Sequence, residues 1–259
     1  MLCMRNILIF IILLFPFSLN GQEVIDSLKK SGKNQISVGL VFSPDYCFRT
    51  LHNNDGSTSS AVISDLRNSD EEPIMGFTTG LDVFYRITSK IGFETGLQYS
   101  RQGYQIQKND LFFGYPIDPR YGYAYDTSSS MIPSGVRFIS NYNYLDVPLR
   151  VVLNFGKNRM RFITSIGLTT NILVSSGQIS ILKYKDSRDK RSKNDFLHDI
   201  KTVNVTATLS AGIEYSLTDK LYFRGEPTFR YGLLEINDDP ITTFLWRAGL
   251  AFGCYYNLR

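Results

Sequence analysis

From Val203 to Leu233 the chain alternates. Val203, Val205, Ala207, Leu209, Ala211, Ile213 and Tyr215 occupy every second position, and Asn204, Thr206, Thr208, Ser210, Gly212 and Glu214 fill the places between. After Thr218-Asp219-Lys220 the pattern resumes. Leu221, Phe223, Gly225, Pro227, Phe229, Tyr231 and Leu233 take one side, and Tyr222, Arg224, Glu226, Thr228, Arg230 and Gly232 the other. Successive side chains of a β-strand point to opposite faces, so this is a pair of long strands, each with one apolar and one polar face. The short polar connection makes them an antiparallel hairpin, and a turn at residues 218–220 sets Glu214 opposite Arg224. Alternation alone does not say which face looks inward. If the apolar face is inside, the fold is a soluble barrel or sandwich; if it is outside, the solvent is lipid.

The same pattern recurs along the chain. Strands are expected at Gln35–Ser43, Ile74–Ile87, Ile91–Tyr104, Tyr142–Phe155, Met160–Val174, the two strands of the hairpin, and Ile241–Tyr256. The connections are Pro44–Pro73, Thr88–Lys90, Gln105–Asn141, Gly156–Arg159, Ser175–Lys201, Thr218–Lys220 and Glu235–Pro240. They alternate long and short. Short periplasmic turns and long extracellular loops are the asymmetry of a bacterial outer-membrane barrel. The expected fold is all-β: an eight-stranded antiparallel up-and-down transmembrane β-barrel with both termini on the periplasmic side. Strands of about 9 residues or more suit a tilted membrane crossing.

Three segments are expected. Residues 1–21 read as a secretory signal peptide: Arg5, an apolar run from Ile7 to Phe17, and a polar exit at Ser18-Leu19-Asn20-Gly21, with cleavage between Gly21 and Gln22. Residues 22–34 read as a periplasmic leader and 35–259 as the barrel. Removal of the first segment leaves 27 cations against 24 anions. That weak balance gives no argument for nucleic acid, which a secreted protein does not meet. Cys47 and Cys254 remain, too few for a disulfide framework. They are expected at opposite rims as free thiols, because bridging needs Cα atoms within about 7 Å.

Three features turn the apolar face toward lipid. Aromatics gather at its two ends: Tyr85, Phe155, Tyr215 and Tyr256 toward the short turns, and Phe42, Tyr99, Phe229, Tyr231, Phe244 and Trp246 toward the long loops. Girdles at two heights are expected at two membrane interfaces. The polar face is rich in Gly, Ser and Thr, and its charges are of both signs. Asp82, Glu94, Arg150, Glu214, Arg224, Glu226, Arg230 and Arg247 are expected to form a lumenal network, with Arg86, Asp146 and Arg161 on the same face. Eight strands leave an interior just wide enough for side chains, and charges there must pair. A lipocalin-like fold reverses the faces and leaves glycines studding the outside. Pro148 and Pro227 each remove a ladder donor, so a bulge or local distortion is expected at one of them.

The stretch Tyr144-Leu145-Asp146-Val147-Pro148-Leu149 resembles the Tyr-Leu-x-Ile/Val-Pro-Leu segment at the start of a mid-chain strand in the PorT-like outer-membrane β-barrel family of Bacteroidota. Asn20-Gly21-Gln22 is similar to the mature start in that group. Gly253-x-x-Tyr256-x-Leu258 is similar to a barrel-assembly signal, although the chain ends on Arg259 and not on an aromatic. The resemblance spans the mature chain. It implies the barrel fold, handling by the barrel-assembly machinery, and for one group of members a part in protein export and gliding.

No catalytic motif stands out, and no Cys/His cluster suggests a metal or cofactor. His52 has Asp55, Ser57 and Asp65 near it, and His198 lies in another long loop. The segment Lys183–Lys201 carries seven Lys/Arg against four Asp. It reads as a solvated loop, with contact to glycolipid phosphates as the functional alternative. Tyr115, Tyr121, Tyr123 and Tyr125 either form an aromatic platform for sugar or protein or pack their own loop. The expected role is that of a structural or interaction protein working through loops or rims with a plugged lumen. Its expected partners are outer-membrane lipid and a protein of the envelope. An export accessory, a narrow pore and a loop-borne envelope-modifying enzyme are the alternatives.

Overall fold

The computed structural model describes residues 35–109, 111, 133–156, 159–184, 188–194 and 200–258. The expected signal peptide, its cleavage site and the leader fall outside these, as do His198 and the four loop tyrosines. The elements are β1 (Gln35–Asn53), α1 (Thr58–Asp70), β2 (Glu71–Arg86), β3 (Ile91–Asn109), β4 (Gly135–Phe155), β5 (Met160–Lys183), β6 (Lys190–Asn194), β7 (Val203–Ser216), β8 (Leu221–Gly232) and β9 (Ile241–Asn257). Eight strands close a ring in the order β1-β2-β3-β4-β5-β7-β8-β9, with β9 returning to β1, all antiparallel. Every wall strand therefore has two neighbours, and the unpaired edge that an open sheet exposes is removed.

The register fixes the geometry. A hydrogen-bonded row that starts at Val38 passes through Val83, Thr95, Leu149, Leu168, Ala207, Tyr231 and Trp246. It returns to β1 at Phe48, ten residues from where it began. A climb of about 33 Å over a circumference of about 38 Å tilts the strands by about 40°. Ten residues at that tilt rise about 25 Å, the height of an outer-membrane apolar band.

The apolar face is the outer one. Leu40, Leu81, Leu97, Leu149, Ile166, Leu168 and Leu209 are each more than half exposed, while Ser37, Asp45, Thr78, Asp82, Glu94, Asp146 and Glu214 are buried. No water-soluble fold pays for such an inversion; lipid makes it the stable arrangement. Two of the three short connections are built alike. Thr88 Oγ1 accepts from the N–H groups of Lys90 and Ile91, and Thr218 Oγ1 from those of Lys220 and Leu221. The hydroxyl replaces the missing backbone acceptor, so three residues turn the chain.

The long connections differ from expectation. Pro44–Pro73 is not a loop: β1 runs on to Asn53, α1 follows with Ser57 as its N-cap, and β2 begins at Glu71. β3 extends to Asn109, and β4 begins at Gly135. Within Ser175–Lys201, β5 continues to Lys183 and β6 folds back on it. Water on both sides of the outer ends of β3, β4 and β5 weakens the alternation that marked the wall strands, while in β1 the alternation continues to Arg49 beyond Pro44.

Pro44, Pro148 and Pro227 interrupt the ladder without shifting it. The β3–β4 register is continuous in number but lacks pairs opposite Val147 and Pro148, and β7–β8 lacks those opposite Glu226 and Pro227. A third gap, between β1 and β9, falls at Ser43 and Pro44. Each proline withholds one N–H from one neighbour only. The true register shifts lie elsewhere, between Pro73 and Phe77 and between Asn143 and Tyr144. Cys47 is corrected too: it lies within β1 and points into the lumen, not beyond the strand. It pairs in register with Arg247, while Cys254 pairs with Leu40, about 23 Å along the wall. Both thiols are free.

Candidate functional site

The lumen is filled in three layers. At the periplasmic end Val41, Phe84, Val152, Ile163, Tyr222, Ala251 and Tyr255 form one buried cluster. Tyr222 and Tyr255 stack with ring centroids 5.1 Å apart. The lumen is so full here that a Cβ on Gly39 or on Gly253 would lie 2.4 Å from the Tyr255 ring. Glycine is needed at both positions because an aromatic side chain has taken the space.

The middle layer carries charge. Arg224 lies over the rings of Phe84 and Tyr255, 4.4 and 4.5 Å from their centroids. Its guanidinium donates to Glu214 at 2.9 Å and to Glu94 at 2.5 Å. Glu214 also receives Arg86 at 3.3 Å and Arg161. Arg150 joins Glu94 to Asp82, the latter at 3.2 Å, and Gln98 donates to both oxygens of Asp82. Ser210 donates to Glu226 at 2.5 Å. Farther out, Arg247 pairs with Asp146 at 2.7 Å and Arg230 with Asp45 at 3.2 Å. All eight residues of the expected network thus face the lumen, and Glu214 meets Arg224 across the hairpin.

Sequence reasoning missed Asp45, Arg49 and Glu71 because they lay in the supposed first loop. The signal was present: past Pro44 the polar face continues through Asp45, Cys47 and Arg49, opposite Tyr46 and Phe48. Arg49 and Glu71 belong to the rim, where Arg67 shares the same carboxylate. With Asp45 the lumenal balance closes: among the described residues Arg86, Arg150, Arg161, Arg224, Arg230 and Arg247 face Asp45, Asp82, Glu94, Asp146, Glu214 and Glu226, six of each sign. Such pairing offsets the cost of taking ions out of water.

The extracellular layer is apolar again. Tyr142, Tyr144, Ile236 and Leu245 cluster, with Tyr104, Leu173 and Ile200 packed against them. Ile236, 2% exposed, belongs to the β8–β9 connection and turns inward. Backbone bonds hold it: its N–H donates to Thr243, its carbonyl accepts from Lys201, and Ile200 bridges Asn237. Above this lid, Lys201 donates to Glu235 and Asp238, both at 2.7 Å, which raises its pKa above the usual lysine value. Nearby, Glu71 receives Arg49 at 2.5 Å and Arg67 at 2.6 Å, and Arg49 also reaches Asn68 and the carbonyl of Arg67. This ties the end of α1 to β1 at the rim.

On the outside, Tyr85, Tyr215 and Tyr256 point outward at the periplasmic height, and Tyr99, Tyr231 and Trp246 toward the outer one. Trp246 lies about 6 Å from Tyr46, Phe48 and Phe229, between centroids. The outer girdle is lopsided. Its aromatics stand on β1, β2, β3, β8 and β9, while β4, β5 and β7 present Val147, Ile172, Val174 and Val203. His52 is exposed at the end of β1, and Asp55 is engaged in capping α1 through Ser57 and Ser60, which lowers its pKa. Among the described residues no group of His, Cys, Asp and Glu is arranged to hold a metal.

A family model described as "Outer membrane protein beta-barrel domain" matches residues 50–238. No curated protein sequence matches the chain. Among solved structures, Neisserial surface protein A is 10% identical, with 84% of this chain and 95% of that one covered at a TM-score of 0.40. The outer membrane protein AlkL in lipid bilayers is 12% identical, with 88% and 92% covered at 0.42. OprG from Pseudomonas aeruginosa is 10% identical, with 87% and 96% covered at 0.41. The apolar outer face, the closed ring of eight tilted strands and the family match lead to one conclusion: the chain belongs to the outer membrane protein β-barrel domain family and is an integral protein of the bacterial outer membrane.

Proposed function

We propose that the barrel is a closed anchor and that the protein works through its extracellular rim, as a structural or interaction protein of the envelope. The observation that carries this reading is the double seal of the lumen. Tyr222, Tyr255 and Phe84 fill one end, Ile236 and Tyr144 cover the other, and a charge-balanced layer lies between. An eight-stranded barrel packed in this way leaves no continuous aqueous path. Planar-bilayer recording tests it. The expected result is no stepwise single-channel conductance at neutral pH; discrete steps would replace the anchor with a narrow pore.

The stretch that carries the resemblance to PorT-like proteins supports the barrel more than it supports export. Leu145, Val147 and Leu149 face outward, while Asp146 accepts from Arg247 and Asn171 inside. These residues belong to the wall and offer nothing to a partner at the rim. The enzymatic alternative has its own check. Replacing His52 and His198 with Ala is expected to leave envelope lipids unaltered, and loss of a lipid modification would favour the enzyme.

A further inference from the structure

We propose that the β5–β6 hairpin is a binding edge for an anionic polysaccharide at the cell surface; this rests on the rim being the working surface. The described residues of Lys183–Asn194 include Lys183, Arg188, Lys190, Arg191 and Lys193 against Asp189, a net charge of +4. Outside the expected signal peptide the chain carries 27 cations against 24 anions, so everything beyond these residues sums to −1. The lumen is balanced by its own pairs, and the protein's net charge is therefore concentrated in one extracellular hairpin.

The hairpin displays that charge. Every residue of β6 is exposed. The strand pairs on one side only, with Gln178–Leu182 of β5, and its other edge meets no strand among the described residues. Lys190 and Arg191 have no carboxylate partner among the described residues. Strand alternation sends them to opposite faces of one edge, so a ligand running along that edge meets cations on both sides. A row of this kind suits a linear polyanion better than a single phosphate.

Height decides between polysaccharide and lipid. With a shear of ten residues over eight strands, the level of Phe48 falls near Leu173 on β5. β6 lies opposite residues five to nine positions farther out. At the strand tilt that is about 13–23 Å above the outer girdle, beyond a headgroup layer about 5–8 Å thick. The cations stand among surface sugars, too far out for glycolipid phosphates at the bilayer surface. This moves the phosphate contact considered for residues 183–201 to a different polymer.

The test uses the full barrel in nanodiscs, where both rims are open to solution, with dextran sulfate as the probe and neutral dextran as its control. Binding by the native protein is expected to weaken steeply as salt rises, since bound polyanions release their counterions. A triple variant, Arg188→Ser, Lys190→Ser and Arg191→Ser, is expected to lose affinity about tenfold, the sum of three exposed ion pairs. A charge-matched triple at the periplasmic turns, Lys90→Ser, Arg159→Ser and Lys220→Ser, is expected to change it less than about twofold. Equal losses in the two triples would overturn the proposal, because net charge alone would then act. So would native binding to neutral dextran, or binding to anionic phosphatidylglycerol vesicles in place of dextran sulfate. A rim triple that binds normally but self-associates would show that these cations only guard a free strand edge. Channel silence is measured separately, so a failed anchor and a failed binding edge give different results.

Discussion

Below the outer girdle and above it the chain uses the same β-strands under different rules. In the belt, β4 alternates lumen-facing and lipid-facing residues without exception from Tyr144 to Asn154: Tyr144, Asp146, Pro148, Arg150, Val152 and Asn154 are buried, and Leu149 is 63% exposed. Above it, residues 136–140 of β4 are partly exposed on both faces. α1 even inverts the usual soluble helix. Ser60, Ser64 and Arg67 turn toward the protein, while Val62, Ile63 and Leu66 are about half exposed. The difference comes from the solvents. In the belt one face meets hydrocarbon and the other a packed lumen, so a misplaced residue is costly. In the crown water lies on both sides, and most substitutions cost little.

That contrast can be broken by mutation. Arg224→Ala removes the partner shared by Glu94 and Glu214 and leaves carboxylates in a closed layer. It is expected to destabilise the barrel by about 3–5 kcal/mol, read from urea unfolding in vesicles. A loss below about 1 kcal/mol would mean that water reaches the layer and that the seal is incomplete.

Leu168 stands midway between the two girdles on β5, and Val174 near the outer one. Leu168→Arg is expected to cost about 2–4 kcal/mol and Val174→Arg about 0–1 kcal/mol. Equal costs would refute the assigned heights. On gels after membrane fractionation the native barrel is expected to shift its mobility on boiling; a soluble periplasmic protein with no shift would sink the membrane reading altogether.

Glu71→Ala sharpens the other half of the comparison. It frees Arg49 and Arg67 and unties α1, so amide exchange in residues 58–70 is expected to quicken while the unfolding midpoint of the barrel moves little. Loss of the whole barrel in one step with α1 would make the crown part of the same cooperative unit. The smallest effect is expected from pH. Lys108 donates to Asp70 at 2.5 Å and holds its carboxyl below the usual aspartate value. A depressed carboxyl stabilises the fold above its unfolded pKa, and that contribution is lost as pH falls through the folded value. The protection factor of α1 amides against exchange is therefore expected to stay flat from pH 8 to about 5 and to fall only below about 4. Lys108→Ala should shrink this acid step and leave the part that Asp55 contributes at the N-terminus of α1.

Legibility followed the same boundary. The hairpin at Val203–Leu233, its turn at Thr218–Lys220 and the Glu214–Arg224 pair were readable from alternation and local turn chemistry. The continuation of β1 through Asp45, Cys47 and Arg49 was readable in principle and was obscured by Pro44, whose missing donor opens only one gap in the ladder. The helix was not readable. Thr58–Asp70 has a cap at Ser57, but its few apolar residues point outward, so no core-facing stripe marks it.

The sequence by itself determined the number of wall strands, the positions of the short turns, the polar and apolar faces, and the membrane as solvent. Each of these is imposed residue by residue, by lipid on one side of a strand and protein on the other. Only the tertiary structure decided the shear of ten residues, the meeting of Arg224 with Glu94 across 130 positions, the aromatic plug around Tyr255 and the lid formed by Ile236. These depend on which strands close the ring and at what tilt, and no local pattern carries that information.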